Sequence, residues 1–409
     1  MKIVKKCDWW CALKYLDLAK LLMMAKIIVL GTGLIGGAMA VDLALKHNVT
    51  ALDIDTAYFE RLNQKGVITK QADLSLPGEI AEQVSGYDLV IGALPGHMGF
   101  RTLEEVIEAG ISMVDISFMP EDYLSLDDLA IKNSVTAVVD CGVAPGMGNL
   151  ILGHHDRQME VDSFRCYVGG LPIKRDWPYG YKAVFSPIDV IEEYTRPARY
   201  VENHRVITRE ALSDLELIDF QNTGTLEAWN SDGLRSLITT MDIPNMIEKT
   251  LRYPGTTEYI RVLRETGFFS YDEVNIGGQK IRPIDLTAKL LFPKWKLQAG
   301  DRDLTIMKII ISGKEDGAGV KYTYDLYDEY DPETKVHSMA RTTGYTCTAV
   351  ADLILSGKFD RKGVCPPELV GRKPGSFEYV RDYLAARKVH YKMERKEIQP
   401  LPYSEGATP

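Results

Sequence analysis

Short apolar runs alternate with helical stretches from residue 26 onward. The run Lys26–Leu30 (KIIVL) is β-branched and predicts a strand; it ends at Gly31, Gly33 and Gly36 (GTGLIG) and passes into AMAVDLALKH, whose apolar spacing predicts a helix ending near His47. Residues 49–55 (VTALDID) predict a second strand with a carboxylate at its end. Residues 70–74 (KQADL), 88–94 (DLVIGAL), 112–116 (SMVDI) and 137–140 (AVVD) continue the series, and the most apolar of them read as parallel strands covered on both faces. This alternation predicts an α/β, doubly wound, Rossmann-type parallel sheet over residues 24–150, with ligands at the carboxyl ends of its strands. Asp115, Asp140 and Cys141 are then expected to face the same crevice as Gly31.

After residue 150 the pattern changes to longer strands, aromatics and irregular segments such as WPYGYKAVFSP and FPKW. Residues 163–168, 308–312 and 320–327 alternate like strands, the last two joined by a GKEDGAG hairpin turn. These features predict a second, α+β domain over residues 151–341, built on an antiparallel sheet that caps the crevice and serves as a dimer face. Residues 342–395, with the helical CTAVADLILSG, are expected to return to the first domain, and residues 396–409 to form a disordered tail. Residues 1–23 begin basic and turn apolar, but Lys14, Asp17 and Lys20 break the run and no cleavage site follows. They read as an extension upstream of a natural start at Met24 rather than as a signal or membrane segment.

Strand, glycine turn, helix, second strand and acid in that order predict a bound dinucleotide. Gly31 permits the tight turn, Gly33 lets backbone approach a pyrophosphate, Gly36 seats the helix on the strand, and the helix N-terminus offers free N–H groups. Asp53 stands where an acid would bind the ribose hydroxyls, with Asp55 as a rival two residues on, and Asp73 could approach the adenine. Asp53 is followed by Ile54 rather than a cation, which predicts NAD rather than NADP.

Charge and rarer residues narrow the classes further. A net charge of -9 over 409 residues leaves no basic field for nucleic acid. The 6 cysteines show neither metal-ligand spacing nor disulfide density, which indicates a reducing, cytoplasmic compartment. The 7 histidines form no ligand motif, so no metal is expected, and the serine-hydrolase and P-loop signatures do not occur.

DCGVAPGMGN at 140–149, with GTGLIGG, ALPG and VDISFMPED before it, resembles the saccharopine dehydrogenase family, and within it the lysine 6-dehydrogenase type. YVGGLP, TLEAWNSDG, TLRYPG, MARTTGY and KGVCPPE extend the resemblance from about Met24 to about Arg395. Ala144 before Pro145 is similar to lysine-acting members, where saccharopine-cleaving ones tend to carry an aspartate. The resemblance implies NAD-dependent oxidation of L-lysine at the ε-carbon to the semialdehyde, by hydride transfer and imine hydrolysis, in a soluble homodimer. A saccharopine dehydrogenase, or a related enzyme acting on a carboxylated amine, is the near alternative, and an NAD-binding sensor without turnover the more distant one. The expected cofactor set is Gly31, Gly33, Leu34, Ile35, Gly36, Asp53, Asp73, Leu74, Ala93, Leu94, Pro95, Gly142 and Pro145. The resemblance places Asp115 and Cys141 next to the substrate, Asp115 as a holder or relay of the ammonium proton and Cys141 as a small apolar contact. An α-carboxylate calls for a guanidinium, for which Arg252 and Arg341 sit in recognisable motifs while Arg196 sits where the family pattern varies; Tyr181 and Glu227 are further pocket candidates.

Overall fold

A computed structural model describes residues 24–298 and 300–398. The expectations for residues 1–23 and for the tail from 399 lie outside the described residues.

The first six strands, β1 (Lys26–Leu30), β2 (Asn48–Asp53), β3 (Ile68–Gln71), β4 (Leu89–Gly92), β5 (Met113–Asp115) and β6 (Thr136–Val138), form one parallel sheet in the order β6-β5-β4-β1-β2-β3. The order reverses between β1 and β4, and such a switch point leaves a crevice at the strands' carboxyl ends. β1 and β4 are almost wholly buried because helices cover both faces, which is why their sequences are unbroken apolar runs. Gly363–Val364 adds a seventh strand beside β6.

The second sheet contains β7 (Glu160–Pro172), β8 (Ala198–Glu202), β9 (Arg205–Arg209), β10 (Glu216–Phe220), β11 (Gly224–Asn230) and β12 (Asn245–Arg252), and it continues after a small hairpin of β13 (Val274–Ile276) and β14 (Gln279–Ile281). Two long strands, β15 (Asp303–Glu315) and β16 (Ala318–Glu329), then pair through the expected hairpin. This sheet is mixed rather than purely antiparallel: β12 runs parallel to β7, because the long crossover between them lets the chain re-enter in the same direction. The seventh strand of the first sheet, Gly363–Val364, is β17, and β18 (Tyr391–Glu397) returns to the second sheet, pairing antiparallel with β16. Lys396 and Glu397, expected in the tail, belong to that strand. Its sequence, YKMERKE, is that of a solvent-facing edge strand whose charges hide its pairing.

Between the sheets runs the helix Ser338–Leu355, buried from Ser338 to Leu353. It starts against the second sheet, where Asp303 accepts the N–H groups of Ser338 (2.9 Å) and Met339 (3.0 Å). It ends against the helix Leu34–Ala44, where Thr348 Oγ1 donates to Asp42 at 2.7 Å. The returning segment therefore begins earlier than residue 342 and belongs to both halves. No helix of the described residues is long and apolar enough to cross a membrane.

Candidate functional site

A cavity of about 1280 Å3 lies between the two sheets. Every residue of the expected cofactor set lines it: the turn from Gly31 to Gly36, Asp53, Asp73 and Leu74, the β4 exit Ala93, Leu94 and Pro95, and Gly142 and Pro145 after β6. The reason is local. A Cβ on Gly36 would stand 2.1 Å from the Gly31 carbonyl oxygen, so only glycine lets the helix Leu34–Ala44 ride on the strand end. A Cβ on Gly33 would meet nothing within 4 Å, so that position stands clear on the cavity side.

Asp53 Oδ2 accepts from the Thr32 N–H (2.6 Å) and hydroxyl (3.1 Å), and its Oδ1 from the Asp55 N–H (2.9 Å). The carboxylate is thereby pinned at the end of β2 with lone pairs left for ribose hydroxyls. Asp55 is exposed, does not line the cavity, and bonds the Ala57 N–H instead. Asp73 lines the cavity, and hydrogen bonds from Ser75 hold its carboxyl below the usual carboxylate range. Among the described residues, the stretches 31–75 and 93–98 contribute no lysine or arginine to the lining. A glycine turn open toward the cavity and an anchored acid at the neighbouring strand end fit a dinucleotide.

The second domain supplies a charged wall. Glu193 accepts from Arg252 Nη2 at 2.7 Å, Asp232 takes both arms of Arg199 at 2.8 and 2.9 Å, and Asp140 accepts from Arg235 Nε at 2.9 Å and from the Tyr123 hydroxyl at 2.7 Å. Glu248 and Arg196 also line the cavity. Arg196 lies over the Phe118 ring with 4.6 Å to its centroid, its Nη1 is buried without a hydrogen-bond partner, and its contact with Glu192 is long at 3.6 Å.

The expected substrate residues divide. Arg252 lines the cavity, but its fork is largely taken by Glu193, with Tyr181 stacked beneath it at 4.5 Å. Tyr181 thus backs Arg252 and does not reach the cavity itself. Glu227 is turned elsewhere: it accepts the N–H groups of Gly255 (2.9 Å) and Thr257 (2.5 Å), closing the N-terminus of the helix Thr256–Thr266. Arg341 is not brought to the cavity either. Its fork meets Asp328 at 3.1 Å and Asp331 at 3.1 Å, and it also donates to the carbonyls of Arg387 and Lys388.

Of the three residues expected to face the crevice, Asp140 does so, while Asp115 and Cys141 lie behind the wall. Asp115 accepts the Ser117 N–H (2.8 Å) and hydroxyl (3.0 Å), and Ser117 is the residue that lines the cavity. Burial pushes Asp115 up to about 7. Burial, with Asp115 and Asp140 nearby, pushes the Cys141 thiol well up, so it stays a thiol. Sequence reasoning passed over Glu193, Asp232 and Glu248. The available signal was an acid at an inward strand position, as Glu248 is on β12, two residues before the TLRYPG motif.

Comparison with known proteins agrees with the two-sheet fold. The saccharopine dehydrogenase NADP binding domain matches residues 27–138, and the saccharopine dehydrogenase C-terminal domain matches residues 142–389. The mitochondrial alpha-aminoadipic semialdehyde synthase of Mus musculus is 21% identical over 422 residues, covering 84% of this chain and 45% of that protein. The chain thus spans less than half the length of that relative. Carboxyaminopropylagmatine dehydrogenase of Synechocystis sp. is 23% identical over 374 residues, covering 83% of this chain and 92% of that protein. Among solved structures, apo saccharopine dehydrogenase (L-Glu forming) from Saccharomyces cerevisiae superposes with a TM-score of 0.72 at 18% identity, over 91% of this chain and 100% of that one. Homospermidine synthase from Legionella pneumophila, in complex with NAD, gives 0.64 at 12% identity over 94% of each chain. With both halves matched in order, the chain belongs to the saccharopine dehydrogenase family.

Proposed function

We propose that this protein is a pyridine-dinucleotide-dependent amine dehydrogenase that oxidises the ε-carbon of L-lysine, yielding ammonia and the semialdehyde, which cyclises. The observation that carries the reading is one cavity joining the glycine turn and Asp53 to a wall that holds both a guanidinium with a spare donor and several carboxyls. A zwitterion with a distant second ammonium asks for both. The Arg196 guanidinium takes the α-carboxylate, and Glu193, Asp232 and Glu248 favour the cationic end. When bound, the dinucleotide supplies the acceptor for the hydride that leaves the carbon next to nitrogen. Asp115 acts one step back by fixing Ser117, which lines the cavity. Cys141 serves as apolar backing, since no covalent step is required.

NAD is the preferred dinucleotide. A 2′-phosphate would meet Asp53 with like charge, and the nearby lining offers no cation among the described residues. The preference is expected to be tenfold or more.

One observation favours a second reading, a carboxylated polyamine as substrate. The second-domain wall carries Asp189, Glu192, Glu193, Asp232, Glu248 and Asp285 against Arg196, Arg252, Lys289 and Lys296, a small surplus of carboxyls that suits more than one cationic centre. Saccharopine, with its additional carboxylates, meets the same surplus as repulsion.

The test is a panel of lysine, ornithine, saccharopine and carboxylated polyamines with NAD and with NADP, followed by absorbance of the reduced dinucleotide and by ammonia release. Lysine with NAD is expected to give both products in equal amounts. Turnover confined to polyamines supports the second reading, turnover confined to saccharopine overturns both, and dinucleotide binding with no turnover indicates a sensor.

A further inference from the structure

Nine carboxyls line the cavity, and among the described residues eight have a hydrogen-bond partner or an ion pair; Glu248 has neither. It projects from β12, the strand between β11 and β7, with Cys166 as its register partner on β7, and only 6% of its surface is exposed. A buried carboxyl without a partner is costly, and proteins keep such groups where a ligand or a proton completes them.

The neighbouring chain makes room for it. A Cβ on Gly233, which follows Asp232 in the loop after β11, would stand 1.7 Å from Glu248 Oε1. Glycine there is what allows the carboxyl to occupy this place. The charged and titratable groups facing it are Glu193 from the helix Pro187–Thr195, Asp232 and Arg235 from the loop after β11, Asp140 from the loop after β6, and the Cys166 thiol from β7. Each of those acids already has a cation: Arg252, Arg199 and Arg235 respectively serve Glu193, Asp232 and Asp140. None of these cations is shared with Glu248 by a hydrogen bond.

We infer that Glu248 is the catalytic residue that takes the proton from the substrate ammonium before hydride leaves, and that Gly233 is the gap that admits its carboxyl to the cavity. The inference rests on the amine-dehydrogenase reading and names the proton acceptor that reading leaves open. An N–H bond of the ammonium breaks and an O–H bond forms on Glu248. The adjacent C–H bond then breaks with its electron pair leaving as hydride to the pyridinium ring, so the carbon is oxidised, the dinucleotide reduced and a C=N bond formed. Water adds to that carbon, the C–N bond breaks as ammonium departs, and the proton on Glu248 is released to solvent.

Burial, with Glu193, Asp232 and Asp140 adding repulsion against Arg235, pushes Glu248 up to about 8. Glu248 must be ionised to accept a proton, so kcat/KM should rise with pH to a plateau above about 8.

The test is Glu248→Gln in the full chain, which keeps shape but cannot accept a proton. It should lower kcat/KM for lysine by about 100-fold or more and abolish the limb near pH 8, with NADH affinity, read by fluorescence, within about twofold of the parent. Glu248→Asp should keep the limb at a reduced rate, and Gly233→Ala, which displaces the carboxyl, should imitate Glu248→Gln. A readout independent of turnover is the protonated-carboxyl infrared band of the dinucleotide-bound protein. A component that bleaches through about pH 8, above that of Asp115 near pH 7, should be present in the parent and missing in Glu248→Gln. A Gln variant that keeps the parent's rate and pH profile, or one that loses rate together with NADH binding, overturns the assignment. A parent inactive on every amine of the panel overturns the amine-dehydrogenase reading instead, so the two failures are told apart.

Discussion

Arg196 and Arg341 carry the same planar fork and differ in what already occupies it. The fork of Arg341 is filled by Asp328 and Asp331, whereas Arg196 lines the cavity and its buried Nη1 has no hydrogen-bond partner. Removing one side of a buried ion pair leaves the other uncompensated, so Arg341→Met should cost roughly 3 to 5 kcal/mol of stability by denaturant titration while the KM for lysine stays near the parent's. Arg196→Met should do the reverse. Lysine and 1,5-diaminopentane differ by the carboxylate, and a hydrogen-bonded charge contact is worth about 1.5 to 3 kcal/mol, so kcat/KM for lysine should fall by roughly 10- to 150-fold with the diamine unaffected. An equal fall for both substrates would remove Arg196 as the anchor. At this scale the sequence was least informative: Arg341 sits in a recognisable motif and Arg196 in a variable one, and which carboxylate each meets is decided by elements far apart in the chain.

At the scale of elements more was legible, because the first sheet is built from local rules. The buried parallel strands announce themselves as apolar runs, and the GTGLIG turn needs only its own residues to place Gly31, Gly33 and Gly36 at a strand end. The residues expected to hold the dinucleotide therefore all line the cavity. The parallel pairing of β12 with β7 and the return of β18 to the second sheet were not legible, since each depends on long-range pairing that period-two alternation does not encode. The turn itself separates folding from binding. Gly36→Ala would drive a methyl to 2.1 Å from the Gly31 carbonyl oxygen and push the helix Leu34–Ala44 off its strand, so it should lower both the melting temperature and dinucleotide affinity. Gly33→Ala meets nothing within 4 Å in the protein, so its melting temperature should stay near the parent's while NADH affinity falls at least tenfold, because the methyl enters the space left for the pyrophosphate. Unchanged affinity in Gly33→Ala would place the phosphates elsewhere.

Over the whole molecule, two sheets with different topologies are joined more firmly than a two-domain reading of the sequence suggests. One apolar core includes Val29, Met39 and Val114 of the first half together with Phe164, Met307 and Tyr324 of the second. The helix Ser338–Leu355 is anchored at both ends, through Asp303 on the second sheet and Asp42 on the helix Leu34–Ala44. Asp42 also accepts from the Tyr383 hydroxyl at 2.7 Å and from Arg387 Nε at 2.6 Å, which ties the helix Ser376–Ala385 and the turn after it to the same point. The cavity is formed only while both sheets hold their places, so a binding site on this interface requires that it not open independently. Calorimetry should accordingly show a single unfolding transition. Asp42→Ala leaves a largely buried Arg387 and two hydroxyls without their acceptor, a loss of about 3 kcal/mol. With an unfolding entropy of about 2 cal/mol/K per residue, that loss should move the whole transition down by roughly 3 to 4 °C without splitting it. Two resolved transitions in the parent, or a variant in which only part of the heat absorption shifts, would mean that the halves unfold separately and that the cavity between them opens before either half is lost.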